Sequence, residues 1–143
     1  MQTQQPLHPG LFSWPDSPSQ LLGSRCKDCG EHAFPSQDSC RACGSERTEV
    51  VKLGNAGKLW TWTIQSFMPK APYLTDETPE NFRPYGVGYV ELACGIKVES
   101  RLRENSANSL RIGLPMELEI VPVRIDENGS QLMTFQFRSA EAL

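Results

Sequence analysis

A chain of 143 residues has room for one ordinary domain, or for a small module beside a compact one. With 38% apolar residues any single core is small, and a formal charge of −3 argues against a chain dedicated to phosphate backbones, which carries a strong basic excess. No stretch approaches the ~18 apolar residues that span a bilayer, and MQTQQPLHPGLFSWPDSPSQ has neither the basic nor the apolar region of a signal peptide, so a cytoplasmic protein is expected.

Residues 1–22 form a first segment. Pro6, Pro9, Pro15 and Pro18 interrupt any helical or strand period there, yet Leu11, Phe12 and Trp14 sit together among them. A disordered tail is normally depleted in such side chains. Two readings stay open: these residues cover a face of the chain's own core, or they dock on another chain.

Residues 23–50 carry four of the five cysteines, Cys26, Cys29, Cys40 and Cys43, in the spacing C-x2-C-x10-C-x2-C. Each pair makes a tight knuckle that aims two sulfurs at one point, and Gly30 and Gly44 supply the permissive backbone behind them. In a reducing compartment, clustered cysteines read as metal ligands rather than disulfides. Two knuckles complete a tetrahedral thiolate site whose default metal is zinc, although iron in a rubredoxin-type site uses the same geometry. A thioredoxin-like redox pair needs a surrounding βαβ pattern, which is absent. A closed four-sulfur shell has no position for substrate, so the metal is expected to be structural, and His32 reads as an ordinary loop histidine. Between residues 24 and 49 four basic side chains face five acidic ones, and four thiolates with one dication add two more negative charges. That is a poor surface for phosphates.

Residues 51–143 change texture. The segment GKLWTWTIQSF (57–67) alternates and is expected to put Trp60, Trp62 and Ile64 on one face. YGVGYVEL (85–92) and IKVESRL (96–102) read as a hairpin turning at Ala93, Cys94 and Gly95, with Ile96, Val98, Ser100 and Leu102 on the buried side. Residues 105–115 suggest a short helix or turn stopped by Gly113 and Pro115. MELEIVPV (116–123) is a strand that Pro122 places near an edge or strand end, and after the turn ENG the strand QLMTFQF (131–137) closes the domain. Five strands and one insertion fit a small Greek-key barrel such as the OB-fold, with an SH3-like barrel as competitor. The connection 68–84 is out of scale for a hairpin: 17 residues with four prolines, where Tyr73, Leu74 and Phe82 argue for packing on something.

No constellation for catalysis stands out. The two histidines, His8 and His32, lie outside the barrel region, no phosphate loop or nucleophile-elbow motif occurs, and Cys94 has no predicted base beside it. Catalysis by this chain alone is not expected. Two binding roles remain: an OB barrel that offers Trp60 and Trp62 to single-stranded nucleic acid, or a subunit that completes another protein's active site.

The order of parts favours the second. LLGSRCKDCGEHAFPSQDSCRACGS, then GKLWTWTI, PYGVGYVEL, IGLPMELEIV and a closing FQF resemble the zinc-ribbon OB-fold proteins associated with acyl-CoA metabolism, over about Leu11 to Phe137. The resemblance implies a mostly β chain: an N-terminal helical segment, a rubredoxin-like zinc ribbon and a five-stranded OB-fold barrel. It also implies a thiolase-like catalytic partner that acts on acyl-CoA thioesters by thiolysis, acyl transfer or retro-aldol cleavage and holds the catalytic residues itself. On that reading Cys26, Cys29, Cys40 and Cys43 hold zinc, and Leu11, Phe12, Trp14, Tyr73, Leu74 and Phe82 dock the partner. Arg83, Lys97, Arg101 and Arg103 are the cations available to CoA phosphates. Single-stranded nucleic-acid binding is the alternative.

Overall fold

The computed structural model describes residues 3–73 and 75–141, so Leu74 lies outside the described residues. Strands β5 (Ala56–Gln65), β6 (Tyr85–Leu92) and β7 (Lys97–Leu102) run as an antiparallel meander. β7 meets β9 (Gln131–Ser139) in parallel at Leu102 and Phe137, β9 pairs antiparallel with β8 (Pro115–Ile125), and β8 returns to β5 through Pro115–Glu117. The circuit closes into the five-stranded barrel of an OB-fold, with a parallel seam between its third and fifth strands.

Alternation builds the interior. In β7, Val98, Ser100 and Leu102 are buried while Lys97 and Glu99 are exposed, as the period requires. In β6 the inward set is Gly86, Gly88, Val90 and Leu92. Gly88 is small for a steric reason: a Cβ there would stand 2.5 Å from the Thr61 carbonyl oxygen and 2.9 Å from Leu59 Cδ1. Phe137 is fully buried, and Leu59, Val90, Leu102, Leu114 and Met116 join it in one cluster.

The expected common face of Trp60, Trp62 and Ile64 is corrected by a bulge. Leu59 pairs with Val90 and Thr61 with Tyr89, which leaves Trp60 as the extra residue. Parity therefore switches: Leu59 points inward before the bulge, Trp62 and Ile64 pack on the core after it, and Trp60 is 51% exposed. Pro122 lies within β8 beside a second register shift, beyond the part of the strand that pairs with β5, so its missing N–H disturbs no ladder on that side. The insertion 105–115 contains a 3₁₀ turn, Ala107–Ser109, which Ser106 caps by accepting the Asn108 N–H at its Oγ.

The cysteine module folds as a three-stranded sheet ordered β3–β2–β4, with β2 at Leu21–Cys26, β3 at His32–Ala33 and β4 at Thr48–Gly54. It does not stand apart from the barrel. Leu21 and Leu53 are buried in the barrel's own cluster, and Phe34 meets Phe135 edge to face at 5.6 Å.

The N-terminal segment differs from expectation twice. No helix forms in it among the described residues; Leu21–Cys26 is strand instead, and Pro15 and Pro18 leave no room for a helical run before it. Nor is the segment without strand: β1 (Gln4–Pro6) adds in parallel to β9 at Gln131–Met133. Farther on, Phe12 bridges to Leu21 and is 3% exposed, so it covers this chain's own core; Leu11 and Trp14 are half-buried.

Candidate functional site

The two knuckles are built alike. The Gly30 amide donates to the Cys26 carbonyl at 2.9 Å, and the Gly44 amide to the Cys40 carbonyl at 2.8 Å. Both glycines have positive φ, +83° and +77°, a region other residues rarely occupy. Within each turn an amide also faces sulfur: Cys29 N to Cys26 Sγ at 3.5 Å, and Ala42 N to Cys40 Sγ at 3.3 Å. The knuckles are tied together by the Lys27 amide on the Arg47 carbonyl at 2.8 Å and by an Arg47–Asp28 ion pair at 2.7 Å.

The result is a four-sulfur cage. Cys26 Sγ lies 3.6 Å from Cys43 Sγ, Cys29 Sγ lies 3.5 Å from Cys40 Sγ, and all four sulfurs fall within 4.8 Å of one another. A tetrahedral zinc with Zn–S bonds of about 2.3 Å needs sulfurs about 3.8 Å apart, so this donor set fits. Cys26 and Cys40 are buried and Cys29 and Cys43 exposed, which puts one sulfur of each knuckle toward the sheet and one toward solvent.

Electrostatics point the same way. The Cys29 amide, with a further contribution from the Asp28 amide, holds Cys26 down to about 6 against burial. The Glu31 amide draws Cys29 down, but the Cys40 thiol, burial and the other two thiols outweigh it and push Cys29 up to about 12. For Cys43 the Ser45 amide also lowers, yet the Cys26 thiol and burial leave it raised. Four thiols this close cannot all ionise alone; a dication stabilises all four thiolates together. Zinc held here would lock the knuckles, and the filled shell leaves it no substrate position. His32 is half-buried on β3 and is not among the ligands of the cage.

The structure does not gather the four candidate phosphate cations into one site. Lys97 pairs with Glu91 at 3.6 Å and lies 4.8 Å above the Trp60 ring. Arg103 forms a forked pair with Glu119, whose other neighbours include the Gln136 amide. Burial works against the Glu119 charge, but the Arg103 and Gln136 donors outweigh it and hold that carboxyl below the usual carboxylate range. Arg101 stacks on Tyr85 at 3.9 Å and donates to the Tyr73 hydroxyl at 3.1 Å. Arg83 is exposed in the long loop, and among the described residues neither it nor Arg101 makes an ion pair.

That loop is anchored to its own barrel. Tyr73 stacks parallel to Tyr85 with centroids 6.4 Å apart, Phe82 meets Tyr85 edge-on at 6.0 Å, and the Tyr73 hydroxyl donates to Glu77 at 2.9 Å. The Asp76 carboxylate accepts the Ile125 amide at 3.2 Å near the turn that follows β8. Tyr73 and Phe82 stay half-buried, and Cys94 lies exposed in the hairpin turn. Sequence reasoning missed Tyr85 and Tyr89. Their signal was present in YGVGYVEL, whose outward parity carries two tyrosines and a valine where a solvated face carries polar groups.

Comparison with known proteins agrees with this construction. Two family models match, the ChsH2 rubredoxin-like zinc ribbon domain over residues 18–49 and the ChsH2 C-terminal OB-fold domain over residues 50–121. Benzoylsuccinyl-CoA thiolase subunit BbsA of Thauera aromatica is 32% identical over 133 residues, spanning 92% of this chain and 85% of that protein. A DUF35 domain-containing scaffold protein of Methanocaldococcus jannaschii is 30% identical over 120 residues, spanning 82% and 79%. Among solved structures, the Ltp2–ChsH2(DUF35) aldolase shares the fold with a TM-score of 0.63 at 24% identity, covering 85% of this chain and 86% of that one. Among the described residues, no helix is long and apolar enough to cross a membrane. With its ribbon, its closed barrel and its relatives in agreement, the chain belongs to the ChsH2-type (DUF35) zinc-ribbon and OB-fold family.

Proposed function

We propose that the chain is a non-catalytic subunit of a heteromeric, cytoplasmic thiolase-like enzyme acting on acyl-CoA thioesters by thiolysis, acyl transfer or retro-aldol cleavage. It stabilises the catalytic subunit and shapes its substrate channel. The observation that carries this reading is the 32% identity, over 92% of the chain, to a protein named as a thiolase subunit. The metal's part is structural: zinc on Cys26, Cys29, Cys40 and Cys43 holds the ribbon rigid beside the barrel.

The tail and the long loop supply the docking side chains in this reading. Leu11 and Trp14 offer half-exposed apolar surface with the buried Phe12 behind them, and Tyr73 and Phe82 do so from the loop; Leu74, the third docking residue of the loop in this reading, lies outside the described residues. Of the four candidate cations, Arg83 and Arg101 make no ion pair among the described residues and are the better placed to meet CoA phosphates; Lys97 and Arg103 would have to exchange a carboxylate for a phosphate.

Native mass spectrometry of the protein purified from its own cells tests the proposal. The expected result is a complex with a thiolase-like chain and about one zinc per copy, as one four-cysteine site requires. A zinc-bound monomer, or a complex with oligonucleotide, would overturn it.

A further inference from the structure

The outward face of β5 and β6 breaks the rule that the solvent side of a barrel strand is polar. Trp60, the extra residue of the bulge, is 51% exposed and meets Tyr89, 40% exposed, edge to face at 6.4 Å. Ile112, 73% exposed, belongs to the 111–114 turn, whose Gly113 amide donates to the carbonyl of Leu59, next to the bulge. Trp60 and Tyr89 thus form an exposed aromatic pair, with the exposed Ile112 carried on a turn tied to the strand beside them, and exposed apolar clusters of this kind mark contact sites.

The bulge leaves this patch on the outer face. Leu59 before it and Trp62 and Ile64 after it all turn to the core, while Trp60, the extra residue between them, stays outside. The patch is also held in shape. Lys97 lies over the Trp60 ring and pairs with Glu91, so indole, ammonium and carboxylate are fixed relative to one another before anything binds.

Charge identifies the occupant. The strand face around the aromatics carries Lys58 and Lys97 on either side of Glu91, and Glu99 beside Tyr89 in the ladder, so these charges cancel. A polyanion finds no field here, which disfavours nucleic acid despite the aromatic platform. An aromatic centre rimmed by charges of both signs has the make-up of a protein–protein hot spot. The face also continues along β6, through Val87, to Tyr85 and the loop residues Tyr73 and Phe82 that dock a partner in the reading above.

We infer that Trp60, Tyr89 and Ile112 form the centre of the surface that receives the thiolase-like catalytic subunit, through an apolar patch of that subunit. This inference rests on the reading under Proposed function. It goes beyond that reading by moving the centre of docking from the tail to the outer barrel face.

The test uses the thiolase-like chain identified in the native complex. Hydroxyl-radical footprinting of the unmodified protein, free and in complex, is expected to show Trp60 and Tyr89 oxidised at least ~5-fold more slowly in the complex, as burial at an interface centre requires. Trp60→Glu and Tyr89→Glu are each expected to raise the Kd at least ~30-fold, with zinc content unchanged, whereas Val50→Glu on the exposed edge of the ribbon sheet stays within ~3-fold. A complex that forms normally but leaves Trp60 and Tyr89 fully reactive overturns this inference alone. Protection of Trp60 by self-association or by oligothymidylate in the absence of the partner also overturns it. If the unmodified protein binds no thiolase-like chain, the broader reading falls, and this one with it.

Discussion

Replacing Cys40 with serine removes one of two buried thiolates from a cage whose sulfurs all lie within 4.8 Å. Between Ser24 and Thr48 the apolar side chains besides the cysteines are Ala33, Phe34 and Ala42, and Phe34 is only half-buried against Phe135. A phenylalanine in that position contributes at most ~2 kcal/mol, and the backbone bonds closing each knuckle about 1 kcal/mol apiece. Zinc in a four-ligand finger contributes on the order of 10–16 kcal/mol, so the metal outweighs everything else in the knuckles. Cys40→Ser is therefore expected to release the metal and open residues 26–47 while the barrel persists, because its buried cluster contains none of the knuckle residues. Hydrogen exchange reads this directly. The Gly30 and Gly44 amides, bonded to the Cys26 and Cys40 carbonyls, should lose at least ~1000-fold of their protection, since global opening of a domain costs roughly 5–15 kcal/mol and the opened knuckle almost nothing. The Val90 and Phe137 amides should keep theirs. Metal loss with Gly30 and Gly44 still protected would refute the claim that the metal supplies the ribbon's folding energy.

Two further predictions concern the barrel. Phe137→Ala empties the fully buried centre of the core and should cost about 3–5 kcal/mol in denaturant unfolding; a loss below 1 kcal/mol would mean that the ring does not anchor the barrel. Glu119→Gln removes a carboxylate held below its ordinary range, so its folded pKa lies under its unfolded one. Such a group contributes stability at pH values above the unfolded pKa and loses it as pH falls through the folded one. Wild type and variant should therefore differ by about 1 kcal/mol near neutrality and converge in acid, and a gap that widens on acidification would contradict the assignment.

The residues that announced themselves in the sequence are those whose structure is decided locally. Cysteines three apart followed by glycine make a knuckle wherever they occur, and Val98, Ser100 and Leu102 face inward because strand parity is a property of the strand itself. What the sequence concealed depends on partners far along the chain. Gln4–Pro6 is a strand because Gln131–Met133 offers a free edge, 127 residues away, and nothing in three polar or cyclic residues reports that. The bulge at Trp60 is similar. A periodic reading assumes an unbroken register, whereas the register is set by Val90 and Tyr89 on the neighbouring strand. The ring of Arg101 with Tyr73 and Tyr85 needs a 17-residue loop to fold back, and spacing carries no information about that return.

The two halves of the molecule share a core, and that arrangement bears on the proposed role. A ribbon tied to a barrel only by a linker would open and close independently, and residues on the two could not present one surface. Here Leu21 and Leu53 of the ribbon strands lie within the barrel's own buried cluster, and Phe34 reaches Phe135 across the boundary. The N-terminal segment adds a second tie, since β1 pairs with β9 while Phe12 bridges to Leu21. A metal held by the knuckles would therefore act on the rest of the molecule at a distance. By fixing the knuckles it fixes the end of β2 at Cys26, and β2 carries Leu21 into the core that the barrel strands surround. A rigid body of this kind loses little conformational freedom on association, and in the proposed role such preorganisation is the contribution that structure can make to affinity.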